Sequence, residues 1–105
     1  MSALEETLAF QIKAIRLPAP EREFKAVEGR KFKWDFAWPD HSLLLEIQGQ
    51  IWRKGGHTTG TGILRDMEKL NLAVLNGWRV LQVAREHIES GQAVKWVQQA
   101  LSQHK

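Results

Sequence analysis

With 105 residues, 43% of them hydrophobic and 26% charged, the chain has apolar material for one core and too little length for two. That composition excludes a disordered, collagenous or low-complexity polymer, and the absence of cysteine excludes disulfides, thiolate zinc sites and thiol nucleophiles. Fifteen basic against twelve acidic residues leave a net charge of +3, which is compatible with a polyanionic partner without requiring one.

Residues 1–105 read as a single domain. No apolar run approaches the roughly 20 residues of a membrane span, and Met1–Phe10 carries acids where an export signal would carry bases, so the expectation is a cytoplasmic protein. Leu4, Leu8, Ile12 and Ile15 recur at helical spacing after a capping Ser2, and Leu17-Pro18-Ala19-Pro20 stops that helix. Arg22–Val27 and Lys31–Trp38 alternate as two strands, with Glu28-Gly29-Arg30 as a hairpin connection. A third strand, Leu43–Gly49, opens on Leu43-Leu44-Leu45, so both of its faces are expected to be covered. The polar, glycine-rich stretch Gln50–Gly62 suits neither regular element. Ile63, Met67, Leu70 and Val74 mark the stripe of a second helix ended by Asn76-Gly77; Trp78–Ala84 is a fourth strand, and Ser90 caps a last helix carrying Val94, Val97 and Leu101. A three-strand meander, a helical crossover and a further strand predict an α/β fold with a mixed sheet, flanked by helices.

Two acids interrupt the most apolar strands. Alternation sets Leu43, Leu45 and Ile47 on one face of the third strand and Leu44, Glu46 and Gln48 on the other, so Glu46 sits where a carboxylate needs a partner. A salt bridge to a lysine or arginine is the simplest such partner. On the second strand Phe32, Trp34, Phe36 and Trp38 are expected to share a face opposite Lys31, Lys33, Asp35 and Ala37. A three-residue hairpin loop pairs Phe24 with Trp34 and Glu23 with Asp35, gathering carboxylates; a two-residue loop would set Arg22 across from Asp35 instead. The first register is preferred because it stacks the aromatics and puts Gly29 in the turn. Carboxylates converging on one sheet face stay ionised together when a divalent cation lies between them, and oxygen ligands favour Mg²⁺ or Mn²⁺. That is the equipment of phosphodiester hydrolysis.

Asp35, followed eleven positions on by Glu46-Ile47-Gln48 in this order of elements, resembles the PD-(D/E)XK nuclease superfamily over nearly the whole chain. Locally, Trp34–Pro39, Leu45–Gly49, the Trp52–Gly62 loop with His57, and Asp66–Asn71 through Gly77-Trp78-Arg79 resemble small phage and bacterial endonuclease-domain proteins of that superfamily. These are related in outline to virus-type replication-repair nucleases and archaeal-type Holliday-junction resolvases. The resemblance implies a restriction-endonuclease-like α-β-β-β-α-β core in a bacterial or phage-infected cell. It implies a Mg²⁺- or Mn²⁺-dependent endonuclease acting on DNA, with branched DNA as a substrate class. Asp35 and Glu46 would coordinate the metal with help from the Ile47 carbonyl. Gln48, which with Glu23 would position the water or a second metal ligand, stands where the family usually has lysine, so the missing positive charge would come from Lys54, His57 or Lys69, or the chemistry would be lost and a DNA-binding module remain.

Glu23 is placed ahead of Glu5 as the further acid of the site, and Glu5 ahead of Glu6, because Glu5 lies beside the apolar stripe of the first helix and Glu6 opposite it. Arg53, Lys54, His57 and Lys33 are candidate phosphate contacts, and Trp52 a candidate stacking platform. The glycine-rich loop lacks the Gly-Lys-Ser/Thr ending of a P-loop, so no nucleotide cofactor is expected. One active site per chain makes a homodimer the expected form for cutting two strands.

Overall fold

The structure, a computed structural model, describes residues 2–48 and 60–103. Helix α1 spans Ala3–Ala14; the Ser2 side chain accepts from the Glu5 N–H at its start, and Glu5 and Glu6 in the first turn suit the helix dipole. Strands β1 (Glu21–Phe24), β2 (Trp34–Trp38) and β3 (Leu43–Gln48) follow, with a single 3-10 turn at Pro39–His41 between the last two. Helix α2 (Gly60–Leu75) leads to β4 (Arg79–Ala84), α3 (Arg85–Glu89) and α4 (Gln92–Ser102). The short α3 was not expected from the sequence. Ser90 ends it, and α4 begins after Gly91.

The four strands form one sheet in the order β1-β2-β3-β4, antiparallel up to β3 and parallel between β3 and β4. The parallel step follows from the α2 crossover, which returns the chain to the same end of the sheet. The result is a mixed α/β fold with helices on both faces of the sheet. Phe36, Trp38, Leu43, Leu45 and Val83 face α1, α3 and α4, whose Leu8, Ile12, Ile88 and Val97 complete one core. Leu44, Ala37 and Trp34 face Ala73 and Leu70 of α2 on the other side. The run Leu43-Leu44-Leu45 is fully buried because its members serve both cores. No helix among the described residues is long and apolar enough to cross a membrane.

Three expectations are corrected here. The strands flanking the first turn are shorter than expected, β1 ending at Phe24 and β2 starting at Trp34, so nine residues rather than three connect them. Gly29 does occupy a tight turn (φ +82°, with the Arg30 N–H donating to the Val27 carbonyl), and the Lys33 carbonyl, just before β2, accepts from Lys69 Nζ at 2.6 Å. Trp34 does not share a core with Phe36 and Trp38. Glu23 has φ +52° between the pairs Arg22↔Phe36 and Phe24↔Trp34, and strict alternation lapses where the strand pair is kinked. Finally, α2 buries Leu70 and Ala73, while Ile63, Met67 and Val74 of the anticipated stripe lie in solvent.

The end of α2 agrees with the Asn76-Gly77 stop. The Trp78 N–H donates to the Ala73 carbonyl and the Gly77 N–H to that of Val74, with Gly77 at φ +92°. A Cβ at Gly77 would meet nothing within 4 Å, so the cost of Gly77→Ala is a backbone cost alone. It is expected to be about 1 kcal/mol, measurable as a fall in the thermal midpoint without change in the circular dichroism of the native state.

Candidate metal centre

The site forms where β2 parts from β3. Their pairing runs from Trp38↔Leu43 to Phe36↔Leu45, and one further step in that register sets Asp35 across from Glu46. There a side chain takes over from the ladder: the Ile47 N–H donates to Asp35 Oδ2 at 2.8 Å. Because N–H and C=O of one strand residue point to the same edge, the Ile47 carbonyl also faces the gap that Asp35 occupies.

Asp35 is joined by two acids from other elements. Carboxylate oxygens of Glu5, Glu23 and Asp35 lie within 4.8 Å of one another. Helical periodicity explains Glu5: it stands three and seven residues before Leu8 and Ile12 on the buried side of α1 and is itself buried, whereas Glu6 is exposed. Glu23 reaches the cluster from the kinked position of β1, opposite Asp35 in the register that pairs Phe24 with Trp34. Sequence reasoning ranks Glu23 above Glu5; the structure brings both to Asp35.

Arg22 closes the cluster on one side. Its Nε and Nη2 donate to Glu5 Oε2 at 3.1 and 3.0 Å, Nη2 also reaches Glu6 Oε2 at 2.7 Å, and the guanidinium lies 4.9 Å from the centre of the Phe36 ring. The Arg22–Asp35 pairing that a two-residue loop would have produced is replaced by Arg22↔Phe36.

Glu46 has a different partner. Lys69 Nζ from α2 donates to Glu46 Oε2 at 2.8 Å, with side-chain exposures of 11% for the lysine and 25% for the glutamate. The same ammonium lies 4.5 Å from the centre of the Trp34 ring and holds the Lys33 carbonyl. Lys69 is thus anchored on three sides, and it is the lysine that supplies Glu46 with the salt-bridge partner its place on an apolar strand calls for. It falls on the sheet-facing side of α2 with Leu70 and Ala73, which its distance from the Ile63, Met67, Val74 stripe already hinted at.

Burial pushes the Asp35 carboxyl above the ordinary carboxylate range; the Ile47 N–H and Lys69 oppose this, while Glu5 and Glu23 reinforce it. Glu46 is likewise raised, first by burial and then by the Asp35 and Asp66 charges, against the pull of Lys69. Both groups therefore gain from any added positive charge. Oxygen ligands about 2.1 Å from a Mg²⁺ ion stand about 3.0 Å apart when adjacent and about 4.2 Å apart when opposite, so carboxylate oxygens within 4.8 Å of one another have to draw closer to share one ion. An all-oxygen donor set of this kind fits Mg²⁺ or Mn²⁺.

Of the other anticipated residues, Gln48 ends β3 opposite Ala84, on the Glu46 face by alternation. Lys33 has an exposed side chain beside the site. Trp52, Arg53, Lys54 and His57 lie outside the described residues. Comparison of the chain with protein-family models, with curated proteins and with solved structures finds no match in any of the three.

Proposed function

We propose that this protein is a Mg²⁺- or Mn²⁺-dependent endodeoxyribonuclease with a restriction-endonuclease-like core, as the PD-(D/E)XK resemblance implies. The observation that carries the reading is the convergence of Glu5, Glu23 and Asp35 beside the Glu46–Lys69 pair at the open end of β2 and β3. Glu5, Glu23 and Asp35 would hold the ion, with the Ile47 carbonyl beside them. A bound divalent cation supplies Lewis acidity toward a phosphodiester oxygen and a lowered pKa for an attacking water.

The chain's own groups do the rest. Glu46 Oε2 is engaged by Lys69, leaving Oε1 to take a proton from the water or to join the ligand set. Lys69 Nζ offers the positive charge that Gln48 cannot, and stabilises negative charge developing on the phosphoryl oxygens. The exposed Lys33 side chain contacts backbone phosphate, as Arg53, Lys54 and His57 would from the glycine-rich stretch. Branched DNA is the substrate class suggested by the resolvase likeness.

A second reading has its own support: the Glu46–Lys69 ion pair also suits a protein that binds DNA without cutting it. Incubating supercoiled plasmid and a four-way junction with Mg²⁺, Mn²⁺ or EDTA separates the two. The nuclease reading expects nicking or resolution that EDTA abolishes and that Glu46→Gln, which keeps an oxygen for Lys69, reduces at least 100-fold. Salt-sensitive binding with no cutting under any metal condition would establish the silent module.

A further inference from the structure

The apolar side of α2 is turned the wrong way for a chain that acts alone. Ile63, Leu64, Met67, Val74 and Leu75 are 41, 67, 55, 53 and 80% exposed. At 100° per residue they fall within an arc of about 120° that holds no charged residue, and Lys69 lies about 180° from its middle. The helix is therefore anchored to the sheet by its lysine, Leu70 and Ala73 and presents its greasier side outward.

We infer that this face of α2 is the contact surface for a second copy of the chain, the two α2 helices packing side by side about a two-fold axis. The five side chains expose roughly 500 Å² per copy, so a self-complementary contact would bury about 1,000 Å² in total, the size at which a specific interface begins. A patch of that size is in the range of the largest that a monomer carries, and such patches are often functional. Its apolar residues recur towards both ends of the helix, Ile63 and Leu64 near the start and Val74 and Leu75 at the close. An antiparallel two-fold pairing therefore sets apolar against apolar along its whole length, with no like charges facing each other.

The geometry has a functional consequence that rests on the nuclease reading. Helices pack with axes about 8–10 Å apart. With Lys69 on the far side of each helix, the two Glu46–Lys69 pairs lie on opposite sides of the dimer, each between its α2 and its own sheet, so that each copy brings one site to one strand of a branched substrate.

The test needs neither DNA nor metal, so its failure is separable from failure of the nuclease reading. Sedimentation equilibrium of the full chain is expected to show a reversible monomer–dimer equilibrium. Met67→Glu and Leu75→Glu should each weaken it at least 100-fold with unchanged far-ultraviolet circular dichroism, and Phe10→Glu, at a 72% exposed site on α1, should leave it intact. A monomer at every concentration up to about 1 mM overturns the inference, whether the patch is then covered within the chain or by another molecule. So does a dimer that both α2 variants leave unchanged, since its contact would lie elsewhere.

Discussion

Asp35→Asn is expected to make the metal-free protein more stable at neutral pH and to remove its response to Mg²⁺ and Mn²⁺. The variant keeps an oxygen to accept from the Ile47 N–H and removes a half-buried charge that faces Glu5 and Glu23. The pH dependence gives the sign. Burial and the neighbouring acids raise the folded-state pKa of Asp35, so between its ordinary value and that raised value the native state binds more protons than the unfolded chain. Its contribution to stability is therefore most favourable below the ordinary carboxylate range and is lost as pH rises through the raised value. Glu46 behaves in the same sense. Asp35→Asn eliminates its share of that loss, so the thermal midpoints of variant and wild type should diverge with rising pH in EDTA.

Adding metal should reverse the order of the two proteins. An ion held at 100 times its dissociation constant stabilises the native wild type by about 2.7 kcal/mol, and a variant lacking the central ligand loses most of that gain. Thermal scans at several pH values, with EDTA and with Mn²⁺, read all of this without any DNA. Equal stabilisation of both proteins by Mn²⁺ would show that the three carboxylates are not the binding site.

How far the site was legible in the sequence depends on the kind of contact. Pairing of Phe24 with Trp34 followed from matching aromatics across a turn, and that register is what carries Glu23 toward Asp35. Burial of Leu43-Leu44-Leu45 followed from its unbroken apolarity. Glu5 was legible as the acid beside the buried stripe of α1, though nothing local could say that it and Glu23 would meet at the same aspartate.

The rest depended on contacts distant in the chain. Lys69 reaches Glu46 across 23 positions, and no periodicity encodes that pair. The same ammonium also holds the Lys33 carbonyl, 36 positions away in the chain, just before β2 begins at Trp34. Amphipathic periodicity misled for α2, because it identifies the apolar face of a helix without saying whether the chain's own sheet or another surface covers it.

The largest loss is expected at Lys69. Lys69→Met keeps most of the side-chain volume and removes the ammonium that serves Glu46, the Lys33 carbonyl and the Trp34 ring together. Breaking a fully buried ion pair costs about 3–5 kcal/mol, and the partial exposure of Glu46 scales this to about 1–3 kcal/mol at neutral pH. The penalty should shrink as pH falls through the raised Glu46 pKa, because protonation removes the orphaned charge. Glu46→Gln in the Lys69→Met background should recover most of the stability, giving a coupling energy in a double-mutant cycle.

Cleavage separates a structural from a catalytic lysine. If Lys69 supplies the charge that Gln48 lacks, Lys69→Met lowers the rate of metal-dependent cutting by about 10²–10³-fold while Mn²⁺ still stabilises the protein, since Glu5, Glu23 and Asp35 remain. The double variant would then regain stability without regaining activity. A Lys69→Met protein that cuts DNA at the wild-type rate would leave the lysine a purely structural counter-ion for Glu46 and return the search for the missing charge to Lys54 and His57.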